Sequence, residues 1–67
     1  MREKIKNNIL NALREANGPL TIAELAQRAR ISRLTASDYV LKLEAAGEIR
    51  VTPKPPLKLI ELAEAKP

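Results

Sequence analysis

The sequence predicts a mainly α-helical chain closed by a small antiparallel β-hairpin: three helices, then two strands. Three observations carry this. Apolar residues recur at helical spacing in three successive stretches before Gly47, and from Glu48 the pattern switches to alternation. Pro53, Pro55 and Pro56 then divide the alternating stretch in two.

The first helix spans residues 2–16, with Ile5, Ile9, Ala12, Leu13 and Ala16 on one stripe and Leu10 at its edge. Arg2, Lys4, Lys6 and Arg14 fall mostly off that stripe, as expected of a helix that covers a core and keeps a solvated face. Asn17-Gly18-Pro19 ends it, with the glycine expected to close the C-terminus and the proline forbidding continuation.

Thr21 followed three residues later by Glu24 is a capping box, so the second helix starts at Ile22. Leu20 and Leu25 are placed to form a hydrophobic staple across that cap. Ile22, Leu25, Ala26 and Ala29 make the apolar face. Ser32 caps a third helix, residues 33–46, in which Ala36, Val40 and Leu43 recur toward the core until Gly47 supplies a left-handed stop. Only Arg30 and Ile31 separate the two helices. That geometry is the helix-turn-helix arrangement, with small Ala26 at the close crossing and Ile31 beneath the turn. Arg30 stands where positive φ is expected, at a modest left-handed cost, unless the turn is built differently. Tyr39, the only aromatic residue, lies beside the core stripe and is expected to pack there with its hydroxyl at the edge.

Glu48 to Thr52 alternates as a half-buried strand with Ile49 and Val51 inward. The proline-rich run Thr52 to Pro56 reads as a stiff loop outside any strand interior. Leu57 to Leu62 returns as a second strand with Ile60 and Leu62 inward, leaving Leu57 and Leu59 on the other face or at its margin. Residues 1–62 thus make one domain and 63–67 a tail.

Composition narrows function. Cysteine and histidine are both absent from the 67 residues, which removes disulfides, thiolate metal sites and histidine bases, so no enzyme, metal or cofactor is expected. No small-molecule ligand is evident. No apolar run is long enough for a bilayer, and no signal-peptide core opens the chain, so a cytoplasmic location is expected. The net charge is +4. Residues 28–58 carry seven basic and three acidic side chains against four and three in 1–27, so the excess lies in the second half of the helix-turn-helix and in the hairpin. Localised positive charge suits a polyanion.

Three helices followed by a hairpin is the winged helix-turn-helix fold, and LTIAELAQRARISRLTASDYVLKLEAAGEIRV resembles the DNA-binding domains of small prokaryotic regulators of the leucine-responsive and multiple-antibiotic-resistance types. The resemblance covers about residues 5–62. It rests on the Leu-x-x-Leu-Ala start, the Ile-Ser turn and Leu-Glu-x-x-Gly before the wing. It implies transcriptional or replication-associated regulation through double-stranded DNA, with the third helix in the major groove and the wing, residues 52–58, on the adjacent backbone or minor groove. Arg33, Leu34, Ser37 and Asp38 are then the base readers: arginine spans the acceptors of guanine, serine bonds either base edge, leucine touches a thymine methyl, and aspartate accepts from cytosine. Arg28, Arg30, Lys42, Arg50, Lys54 and Lys58 are the phosphate contacts.

Lys54-Pro55-Pro56-Leu57-Lys58-Leu59-Ile60 is also similar to the wing of Z-DNA-binding winged-helix domains. That resemblance places Arg33 at the family's phosphate-binding lysine, but Ser37, Leu41 and Lys58 replace its asparagine, tyrosine and tryptophan. It implies no conversion of alternating CG duplexes. Leftover apolar residues raise two further expectations. Leu34, Leu41, Leu57 and Leu59 offer surface for a homodimer, which a core this small would favour. They equally suit a protein-interaction module in which Leu34, Asp38 and Leu41 form the contact.

Overall fold

The computed structural model describes residues 2–63. In chain order it contains α1 (Glu3–Glu15), α2 (Ile22–Ala29), α3 (Arg33–Ala45), β1 (Ile49–Lys54) and β2 (Leu57–Leu62). The architecture is the expected one, three helices and an antiparallel hairpin. No helix among the described residues is long and apolar enough to cross a membrane. The expected tail, 63–67, lies outside the described residues except for Ala63, whose N–H donates to the Glu48 carbonyl at 3.1 Å.

Local chemistry sets each helix boundary. The capping box of α2 is complete: Glu24 N–H donates to Thr21 Oγ1 at 3.2 Å and Thr21 N–H to Glu24 Oε1 at 2.9 Å. At α3, Thr35 N–H donates to Ser32 Oγ at 3.1 Å. Arg30 ends α2 in the left-handed conformation, φ 61° and ψ 47°, with its N–H donating to the carbonyls of Ala26 and Gln27. The turn is therefore the tight left-handed kind, built on an arginine. α3 stops at Ala45 and Gly47 follows at φ 79°, where any side chain would be strained.

Three expectations are corrected. Gly18 does not close α1: the helix ends at Glu15, its cap Ala16 is already extended at φ −75° and ψ 144°, and Gly18 takes no positive φ. The extended backbone needed to carry the chain into Pro19 does this without a left-handed cap. Second, Thr52 to Lys54 is strand, not loop, because β1 pairs through Pro53↔Lys58 and Lys54↔Leu57 and only Pro55-Pro56 turns. An edge strand accommodates a proline where the N–H would face away from its partner. Third, Leu20, expected only as a staple for α2, forms an isolated antiparallel bridge with Ile60, Leu20 N–H to Ile60 O at 2.9 Å and Ile60 N–H to Leu20 O at 2.8 Å.

The core lies where α1, α2 and α3 meet one face of the hairpin. Ile9, Leu25, Leu43 and Ile60 are wholly enclosed, one from each helix and one from β2, and each contributes about 1.5–3 kcal/mol by leaving water. Ile49 is buried with them, whereas Val51 and Leu62 pack only partly against the cluster. Tyr39 is buried and its hydroxyl accepts from the Arg2 N–H at 2.8 Å, tying the start of α1 to the middle of α3. Lys6 Nζ, 3.0 Å from Glu48 Oε2, ties α1 to the turn before β1. Its hydrogen bond to Glu48 and the carboxylate charge hold the ammonium above its ordinary pKa of 10.5.

Candidate nucleic-acid interface

α3 presents three flanks. Ala36, Tyr39, Val40 and Leu43 face the core, which turns Arg33, Ser37 and Glu44 toward the wing and leaves Leu34 and Leu41 outermost. Between α3 and the wing runs a cleft of about 440 Å³. Arg33 and Ser37 enter it from α3, Pro56, Leu57 and Lys58 from the wing, and Thr21, Ile22 and Ala23 from the start of α2. A smaller hollow of about 130 Å³, sharing Ile22, Ser37 and Lys58, continues it along α3 to Glu44.

This cleft combines cationic and apolar surface. Arg33 and Lys58 are cations on opposite walls with no carboxylate in salt-bridge range among the described residues, while Ala23, Pro56 and Leu57 supply apolar surface. That combination suits a sugar-phosphate strand along the wing, with phosphate on Lys58 and deoxyriboses against the apolar surface, and leaves Arg33 on the α3 side. The first turn of α2 also borders the cleft, with its Thr21 and Glu24 N–H groups already taken by the capping box. Its positive end is partly offset, because Glu24 is held in that turn by its hydrogen bonds to Thr21.

The other residues named from the sequence divide into three groups. Lys54 is exposed at the wing tip beside the turn. Lys42 and Arg50 are exposed but paired: Lys42 Nζ lies 3.1 Å from Asp38 Oδ2, and Arg50 donates through Nε and Nη2 to Glu61 Oε2 at 3.2 and 2.8 Å. Their charge is offset before any phosphate arrives. Asp38 is correspondingly neutralised by a lysine one turn on, and Lys42 Nζ also stands 6.0 Å from the Tyr39 ring centre. Arg28 and Arg30 are not in the wing cleft. They line a separate groove of about 380 Å³ with Asn8, Asn11 and Glu15 of α1.

Leu34 and Leu41 are 83% and 65% exposed. With Ile5, Tyr39, Arg2 and Asp38 they border a groove of about 570 Å³ between α3 and the start of α1, lined mainly by apolar atoms. The sequence pattern located these leucines but not the groove, which needs α1 beside them. Thr21 and Ala23 were likewise missed as cleft residues. Their signal was the capping box itself, which fixes where the second helix begins and so what lies at its end.

A family model described as winged helix-turn-helix DNA-binding matches residues 2–50. No protein of curated function matches the chain. Among solved structures, human N-acetylserotonin methyltransferase in complex with SAM matches with a TM-score of 0.81 at 18% identity, over 92% of this chain and 19% of that one. This chain therefore spans about a fifth of that protein's length, and a likeness at 18% identity carries the fold alone.

Proposed function

Because this chain belongs to the winged helix-turn-helix DNA-binding family, we propose that it binds double-stranded DNA as a small transcriptional or replication-associated regulator, with α3 in the major groove and the wing on the adjacent backbone. The observation that carries the reading is the convergence of Arg33 and Ser37 with Lys58 across one partly apolar cleft, with no carboxylate partner for either cation among the described residues. Arg33, at the first turn of α3, is the base reader, and Ser37 one turn later is the second. Lys58 and Lys54 hold the backbone. Leu34 is outermost on α3 and would meet the groove floor, where a thymine methyl is its natural contact.

Fluorescence anisotropy of a labelled random duplex against salt tests this directly. Binding should weaken steeply as salt rises, and Lys58→Ala should lower the logarithmic slope by about one. A wild-type protein that leaves the duplex unbound at low salt removes the DNA reading.

A second reading is favoured by one observation, the exposure of Leu34 and Leu41 beside an apolar groove. An apolar helix, from a second copy of this chain or from another protein, would bury both leucines there. Sedimentation of the wild type against Leu34→Ser/Leu41→Ser separates the cases: a dimer that the double variant dissolves supports self-association through this face. A wild-type monomer at high concentration excludes the homodimer.

A further inference from the structure

The groove between α1 and α2 is a second basic surface that the wing cleft leaves unused. Arg28 and Arg30 line it together with Asn8, Asn11 and Glu15; Arg14 stands outside the lining and donates from Nη1 to Asn11 Oδ1 at 2.5 Å. None of the three arginines has a carboxylate in salt-bridge range among the described residues, and Glu15 is the one acid lining the groove. The set therefore carries an excess of positive charge, in the residue type best suited to phosphate oxygens, with two side-chain amides as further donors.

The position of this groove matters as much as its charge. Ala23, in the wing cleft, and Arg28, in this groove, are five residues apart on α2, which places them about 140° apart around the helix. The buried stripe of Leu25, Ala26 and Ala29 passes between them. The two basic surfaces thus open on separate flanks of α2, with the exposed Glu24 and Gln27 on the narrower arc between them.

We propose that the α1–α2 groove binds the phosphate backbone of a second duplex, so that one copy of the domain bridges two DNA segments. The proposal rests on the reading that the wing cleft holds the first duplex. Arg28 carries the second contact from the groove itself, and Arg14, bonded to the groove residue Asn11, extends it beyond the rim. Arg30 joins from the turn, where its left-handed backbone sets it at the groove's end. The contact proposed is to phosphate oxygens alone, and bridging should be indifferent to the sequence of the second duplex.

The test is two-duplex capture at low salt. A biotinylated duplex of about 12 bp, little more than one helical turn, is fixed to beads and loaded with protein. A fluorescent duplex of different sequence is then added. Wild-type protein should retain the second duplex. Arg14→Gln/Arg28→Gln, both exposed and outside the core, should bind the fixed duplex with unchanged affinity yet retain the second at least about tenfold less, because two phosphate contacts are lost. Two results overturn the proposal: wild-type protein that holds the fixed duplex and captures no second one, or capture that survives the double substitution, which assigns bridging to association between copies. Failure to hold even the fixed duplex removes the wing-cleft reading, and the proposal falls with it.

Discussion

Arg30→Gly should stabilise the fold, although it deletes a large side chain at the centre of the helix-turn-helix. Arg30 sits at φ 61° and ψ 47°, and for a residue with a Cβ that region costs about 1–2 kcal/mol. Glycine removes the cost but adds unfolded-state freedom worth about 0.5–1 kcal/mol. The Arg30 side chain is exposed and forms no ion pair among the described residues, so little packing is lost. The backbone bonds to Ala26 and Gln27 stay. The net gain is about 0.5–1 kcal/mol, which in a domain this small raises the melting temperature by roughly 2–8 °C. Thermal melts followed by circular dichroism measure it, with Arg30→Ala as the companion. Alanine keeps the Cβ and so should melt close to wild type. If alanine stabilises as much as glycine, the gain comes from removing charge, and relief of backbone strain is not its source.

Leu43→Ala should cost about 2–5 kcal/mol, since the side chain is fully enclosed, and urea titration should find the variant largely unfolded at 37 °C. The Lys6–Glu48 pair should matter at neutral pH and fade in alkali. Lys6 is held above its ordinary 10.5 in the fold, so its contribution is complete below that value and disappears as pH rises through the higher folded one. Melting temperatures of wild type and Lys6→Met should therefore converge as pH rises past 10.5 and through the higher folded value. Arg33→Ala should cost roughly 1–3 kcal/mol at a selected site and little on random DNA, as removal of a bidentate base contact would. Asp38→Ala should tighten binding to every duplex, because it removes a carboxylate and releases Lys42 from its 3.1 Å pair; an unchanged affinity would place that flank of α3 away from DNA.

Features set by neighbours in sequence were legible without coordinates. Thr21 and Glu24 announce a capping box by spacing alone, Gly47 announces a left-handed stop, and the rim position of Tyr39 follows from helical period and its amphipathic shape. What depended on partners distant in sequence was not. Leu20 becomes a bridge residue only because Ile60 arrives beside it, forty positions on. Pro53 could join β1 because the two-stranded sheet leaves that strand an open edge. The Arg50–Glu61 pair needed the hairpin register. Arg28 and Arg30, grouped by sequence with the reading helix, were drawn instead to the α1 side by the flank of α2 on which they fall. Position along the chain locates an element, whereas the flank that a charge occupies depends on what packs against that element.

That sorting changes the electrostatics expected of the wing cleft. Six residues were candidates for phosphate contact, but Lys42 and Arg50 are neutralised by Asp38 and Glu61, and Arg28 and Arg30 open on a separate flank of α2. Lys54 and Lys58 remain on the wing. Two phosphate contacts release counterions in proportion, so a single duplex bound only in the cleft should give a logarithmic salt slope of about −1.8, against about −5.4 if all six candidates took part. The difference is measurable by anisotropy with a duplex too short to fold back onto the second groove. A slope near the larger value for a single protein on a single duplex would mean that the DNA reaches around α2. The two basic flanks would then serve one curved duplex rather than two straight ones.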